Sequence, residues 1–261
     1  MLPGLSLEDR FRKAAELGVQ GIEFWGEKLS DQIEDIERLN GSCGVVASSI
    51  NNGRRSRFLD PDPSERDRAM AELRESISLA GRIDATGVGF VPHFLEPLLP
   101  DLSPWMEAIA LERSLLTAQL EILANDAQEA DIQLWVEPVN RSETHLLVRL
   151  EQAASLIEPL AHPNLGIVAD LFHMAIEEED LLTALQDNAA SIGVVHLADN
   201  SRELPGQGAT DFISVLATLK ETGFDGWLVY ECGEPGKNHQ RASQYFKELP
   251  NSLEVIRNAL K

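Results

Sequence analysis

Cysteine is nearly absent from this sequence: Cys43 and Cys232 are the only two in 261 residues. Two cysteines make no disulfide framework, and that usage suits a reducing cytosol, so a cytoplasmic protein is expected. Cys232 reads as a small buried residue rather than a nucleophile. Positive charge is also scarce. Lys and Arg number 22 against 43 Asp and Glu, a formal net charge of −21. A phosphate backbone or an anionic membrane needs a basic surface, so neither nucleic acid nor membrane is expected as a partner. No apolar run approaches the length of a membrane span. The N-terminus "MLPGLSLEDRFRK" lacks the basic start and apolar stretch of a secretory signal. No G-x-G-x-x-G or G-x-x-x-x-G-K-[ST] follows any apolar run, which weakens a nucleotide-binding reading.

What is present is a rhythm. Seven short apolar runs read as strands: "GIEFW" (21–25), "GVVASSI" (44–50), "GVGFVP" (87–92), "IQLWVEP" (132–138), "LGIVAD" (165–170), "IGVVHLA" (192–198) and "GWLVYE" (226–231). Several are apolar throughout, as in strands of a parallel sheet covered on both faces. Helical segments lie between them. "SLEDRFRKAAELG" begins at a capping Ser6 and stops at Gly18; "SERDRAMAELRESISLAG" begins at Ser64 and stops at Gly81. "SPWMEAIALERSLLTAQLEILANDAQEA" offers Ser103 as N-cap and Pro104 as first helical residue. "DLLTALQDN" and "DFISVLATLKETG" complete the set.

The chain also echoes itself. "ELGVQGIEFWG" (16–26) and "ETGFDGWLVYE" (221–231) share one plan: helix end, glycine stop, two-residue turn, glycine, strand. Repetition over residues 1–261, with no linker or break in composition, predicts one α/β domain, a (β/α)8 TIM barrel rather than an open doubly wound sheet. Seven strands are found where eight are needed, and only "MLPGL" stands before the first helix. Either the barrel is incomplete, with its first strand missing or truncated, or the true start lies upstream of Met1. A homodimer, whose second copy covers the gap, is the assembly that the strand count suggests.

In such a barrel the carboxyl ends of the strands carry the chemistry. Four consecutive strands end in, or near, a metal-capable residue: Glu137, Asp170, His196 and Glu231. Each alone has a plainer reading, as a cap, a turn residue, a core histidine or a rim carboxylate. Recurring at equivalent positions, they point to a common partner, since four desolvated ionisable groups without one would be costly. Three carboxylates and one imidazole form a hard site suited to Mn²⁺ or Mg²⁺, with Co²⁺ tolerated. Glu143 follows Glu137 by six residues, His173 follows Asp170 by three, and Arg202 follows His196 by six. On position alone, Arg202 in its Gly/Pro-rich loop reads as a solvated surface arginine. Trp25 and His93 either wall a pocket or are simply packed. His145, His162 and His239 receive no role.

At these residues the sequence resembles the xylose-isomerase-like barrels of sugar isomerases and epimerases, a superfamily that also includes endonuclease IV. The ketose 3-epimerase and hydroxypyruvate isomerase branch is the nearest in pattern. "EPVNRSE", "DLFHMAIEEED", "HLADNSRELPGQGATDF" and "VYE" carry the resemblance, in the family's order, between about residue 130 and residue 231. The first half matches only in rhythm. The resemblance implies one divalent metal, manganese before magnesium, cobalt or zinc, held by Glu137, Asp170, His196 and Glu231. It implies that Glu137 and Glu231 double as catalytic acid and base. Glu143, His173 and Arg202 would then bind the carbonyl and hydroxyl groups of a small sugar or hydroxy-keto acid.

The chemistry can be argued from the residue types. A proton next to a ketose carbonyl is weakly acidic, and a metal on the neighbouring oxygens stabilises the enediolate left by its removal. A carboxylate within hydrogen-bond reach takes the proton. Return to the opposite face inverts the carbon; return to the neighbouring carbon interconverts aldose and ketose. The expected activity is a metal-dependent sugar isomerase or epimerase. A lyase or dehydratase on the same fold shares the first step, and a non-catalytic sugar-binding relative shares only the pocket. A nuclease would need more zinc ligands and a basic face.

Overall fold

The computed structural model describes residues 6–233 and 239–261. The "MLPGL" stretch, where a first strand would have to start, lies outside them. The chain opens with α1 (Leu7–Glu16), capped by the Ser6 hydroxyl, which accepts from the Asp9 N–H at 3.1 Å. Gly18, at φ +67°, turns the chain into β1 (Gly21–Trp25). In α2 (Ile33–Leu39) Ile33, Ile36 and Leu39 are buried at helical spacing. β2 (Val46–Asn51), α3 (Pro63–Arg82), β3 (Gly87–Phe90), α4 (Ala108–Glu129) and β4 (Gln133–Val136) follow. Next come α5 (Leu150–Ile157), β5 (Leu165–Asp170), α6 (Leu171–Glu177), α7 (Leu181–Asp187) and β6 (Ile192–Leu197). The order ends with α8 (Phe212–Glu221), β7 (Trp227–Tyr230) and α9 (His239–Ala259).

The seven strands pair in sequence order, each parallel to the next. They form a nearly closed TIM barrel that is one strand short among the described residues. β1 and β7 are its two edges. α9 ties them together: its Tyr245, Leu249 and Leu253 pack with Leu17 and Val19 before β1 and with Tyr230 and Cys232 at the end of β7. Arg257 of α9 also donates to the Leu17 carbonyl.

Two layers of side chains fill the barrel and explain where the polar residues sit. Trp135, Val168 and Val194, with Trp227 and Val229 against them, form an apolar plug. Gly193 makes room for it, because a Cβ there would lie 2.0 Å from the Trp135 indole nitrogen. Side chains two residues apart on a strand share a face. Stepping two residues from Trp135, Val168, Val194 and Val229 reaches Glu137, Asp170, His196 and Glu231. The polar ring is thus one layer above the plug, at the carboxyl ends of β4 to β7.

Two expected helix starts are displaced. α3 begins at Pro63 and is capped by Asp62, whose carboxylate accepts from the Ser64 N–H at 2.9 Å; Ser64 is inside the helix. α3 also runs through Gly81 to Arg82, and the left-handed residue that follows is Asp84, at φ +52°. α4 begins at Ala108 after Glu107, not at Ser103–Pro104. Asp101 takes the Ser103 N–H at 2.8 Å, and Leu102 and Met106 pair across a tight turn, so those residues are committed before the helix starts.

Candidate active site

β4 hands Glu137 to the rim, its N–H bonded to the Phe90 carbonyl at 2.9 Å. Asp170 serves two purposes with two oxygens. Its Oδ1 accepts from the N–H groups of Phe172 (2.8 Å) and His173 (3.3 Å) and so caps α6. Its Oδ2 has no hydrogen-bond partner and faces the ring. His196 stands opposite Asp170 in the β5–β6 register. Its Nδ1 lies 3.5 Å from Glu137, 3.5 Å from Glu231 and 3.9 Å from Asp170. Glu231 stands just past β7, with the Asn51 amide donating to its Oε1 at 3.1 Å.

One ligand atom from each of Glu137, Asp170, His196 and Glu231 lies within 4.8 Å of the other three. Neither ring nitrogen of His196 has a hydrogen-bond partner, although the side chain is only 1% exposed. Buried polar atoms left without partners are expensive, and here they converge on one point. Burial and the charge of Glu231 push the Asp170 carboxyl up to about 7. Burial raises that of Glu137 as well. Burial also opposes charge on Glu231 and His196, but it is outweighed. His196 and Arg202 hold Glu231 down at about 2, while Glu23 and Glu231 keep His196 well above its ordinary value. Two buried acids and one half-buried one thus compete for little positive charge, and the hard donor set fits a divalent cation.

The three residues expected to flank this ring are brought to it. His173 Nδ1 lies 3.1 Å from the backbone N–H of Asn140, which can only donate. Burial lowers the affinity of this imidazole for a proton, and its Nε2 lies 3.3 Å from Arg202 Nη1 and 3.7 Å from Asp170 Oδ2. Arg202 is not a surface arginine: its side chain is only 14% exposed and lies 3.5 Å from Glu231 and 3.6 Å from Glu143. Its guanidinium lies over the Phe172 ring at 4.8 Å and donates to the Gly233 carbonyl at 3.0 Å. Arg202 adopts φ +61° in a loop organised by Asp199. That buried carboxylate collects the N–H groups of Asn200, Gly206, Gly208 and Thr210 at 2.7–3.0 Å.

Several supporting residues escape the sequence reading. Glu23, in mid-strand on β1, lies 3.4 Å from His196 Nε2 and accepts from the Ser49 hydroxyl at 2.7 Å. Asn51, Asn140 and Asp199 are likewise buried. A carboxylate inside the apolar run "GIEFW" was the one signal available for Glu23. The weaker rim candidates stand apart from the ring. Trp25 is half exposed, with its ring against Gly53, and His93 packs edge-on against His145 at 5.0 Å between centroids. No helix of the described residues is long and apolar enough to cross a membrane.

Known proteins share this architecture. The chain is 28% identical over 227 residues to a 3-dehydro-D-guloside 4-epimerase of Escherichia coli, covering 85% of this chain and 86% of that one. It is 32% identical over 223 residues to a ketose 3-epimerase of Arthrobacter globiformis, covering 84% and 75%. The crystal structure of a 3-keto-D-glucoside 4-epimerase from E. coli superposes with a TM-score of 0.85 at 24% identity, over 99% of this chain and 97% of that one, and speaks for the fold. The family model of the xylose isomerase-like TIM barrel matches residues 11–249, and the chain belongs to that family.

Proposed function

We propose that the protein is a divalent-metal-dependent epimerase or isomerase of a small ketose or hydroxy-keto acid, working by proton transfer next to the carbonyl. One observation carries the reading: the unpartnered buried atoms of Asp170 and His196 converge with Glu137 and Glu231, beside an inward-facing arginine and imidazole. The epimerase names of its relatives support it. Glu137, Asp170, His196 and Glu231 would hold the ion, with manganese our choice. When bound, it supplies positive charge against the negative charge that develops on the substrate oxygens.

The protein's own groups do the rest. Glu137 and Glu231 flank His196 at 3.5 Å each. One of them takes the proton from carbon, and the other returns a proton to the opposite face. Asn51 restrains Glu231 through Oε1, and Arg202 faces its Oε2 at 3.5 Å. Arg202 donates to substrate oxygens, His173 contacts them beside it, and Glu143 accepts from a hydroxyl. In the same reading residues 1–261 form one cytoplasmic domain. Pairing as a homodimer would cover the exposed Leu95, Leu102, Trp105 and Met106.

Incubation with Mn²⁺ in D₂O and D-fructose, D-tagatose, L-ribulose or hydroxypyruvate, followed by NMR, tests the proposal. Loss of a C–H signal next to the carbonyl, stopped by EDTA, is expected. No exchange on any substrate while calorimetry shows Mn²⁺ bound would overturn it, and an absorbing dehydrated product would point to a lyase.

A further inference from the structure

A second group of buried polar side chains lies outside the metal-capable ring. Glu112 of α4 is completely buried, with one oxygen 2.6 Å from His145 Nε2 and the other accepting from the Leu98 N–H at 3.3 Å. His145 Nδ1 lies 2.8 Å from the Leu95 carbonyl. A carbonyl only accepts, so Nδ1 donates to it, and a second proton must lie between Nε2 and the carboxylate. The pair therefore holds one proton in common, and His145 is bonded through Nδ1 to Leu95, between β3 and α4, and through Nε2 to α4 itself.

That segment touches the loop that carries Glu143. Leu95, held at φ +67°, donates its N–H to the Glu143 carbonyl at 2.6 Å, and the His145 N–H returns a bond to Leu95 at 3.2 Å. The opposite flank of the same loop is held by Arg141, which grips Glu177 of α6 at 2.8 Å, and by the Asn140–His173 bonds. Glu143 lies between these two anchors, its carboxylate 3.6 Å from Arg202 and one-third exposed. No metal-capable residue of the ring contributes to the His145 anchor.

We propose that His145 and Glu112 are positioning residues for substrate binding: their shared-proton contact latches the Glu143 loop to the β3–α4 segment and sets where the Glu143 carboxylate meets the substrate. The inference rests on the proposed sugar chemistry for its kinetic readout, but not for its structural one.

The test is a double-mutant cycle on the ketose that the wild type turns over. His145→Phe is expected to raise KM roughly tenfold with kcat within about threefold and Mn²⁺ affinity unchanged, since coupled neighbours interact at this level. In a Glu143→Ala background the same change should have no further effect on KM, because it acts through Glu143. An equal penalty in both backgrounds, or an unchanged KM, would overturn the proposal. If His145→Phe does not fold, the isosteric Glu112→Gln is measured in the same cycle with the same criteria. Hydrogen exchange supplies a readout without substrate: amides of residues 138–149 should exchange faster in the variant while those of β5 do not. Wild-type protein inert towards every ketose refutes the proposed function alone. Unchanged exchange over 138–149 refutes the latch alone.

Discussion

The two halves of the barrel divide the labour unequally. β4 to β7 present Glu137, Asp170, His196 and Glu231, and their loops supply Glu143, His173 and Arg202. β1 and β2 present Glu23 and Asn51, which reach His196 and Glu231 rather than offering atoms to the same cluster, and Ser49, whose hydroxyl donates to Glu23. On the proposed reading the second half holds the groups that would meet a ligand, and the first half holds those groups in place. An imidazole that binds a cation through one nitrogen is oriented by what the other nitrogen meets. Glu23, 3.4 Å from His196 Nε2, is placed to do that. The halves therefore fail differently when mutated.

The largest expected effect belongs to the second half. Glu231→Gln should cut turnover by about 10²- to 10⁴-fold, the usual contribution of a general base, with the circular dichroism spectrum unchanged. Retained activity would remove Glu231 from the chemistry and blur the division.

Glu23→Gln sharpens the comparison from the other side. It should weaken Mn²⁺ binding by about 10- to 100-fold in calorimetry and leave turnover at saturating metal largely intact. If Glu23→Gln instead abolishes turnover with metal bound, β1 is part of the catalytic set and the two halves are not distinct.

The smallest effect is in stability. With the Asp170 carboxyl raised from 3.8 to about 7, the folded metal-free protein binds more protons than the unfolded chain across that window. Its stability should therefore fall as pH rises from 3.8 towards 7 and level off above. In EDTA, thermal melts of wild type and Asp170→Asn should diverge over this range by a few degrees, on the order of 5 °C. Parallel melts would show that the Asp170 charge is not strained in the empty ring.

Much of this was legible along the chain. The seven strand runs each coincide with an observed strand to within a few residues, because fully covered parallel strands are apolar on both faces and leave an unbroken run. Glu137, Asp170, His196 and Glu231 stood out because each interrupts such a run at its end. The helix starts at Ser64 and Ser103 misled because Asp62 and Asp101 were better placed to take the nearby N–H groups. Arg202 misled more deeply. Its loop is polar and rich in glycine, as solvated loops are, but the buried Asp199 folds that loop inward.

The sequence by itself determined the alternation of strand and helix, the parallel sheet, and which residues end each strand, since these follow from local periodicity. Only the tertiary structure decided which of those residues meet. Between β5 and β6 the register shifts after Ile167, passing over Gly193, and Asp170 then stands opposite His196. Between β1 and β2 a similar shift after Ile22 sets Glu23 opposite Ser49. A slip of one residue turns every side chain on a strand to the other face, so the first irregularity bears on the ring and the second on the Glu23 that faces it. At the first of them the chain passes over Gly193, which Trp135 meets only in three dimensions.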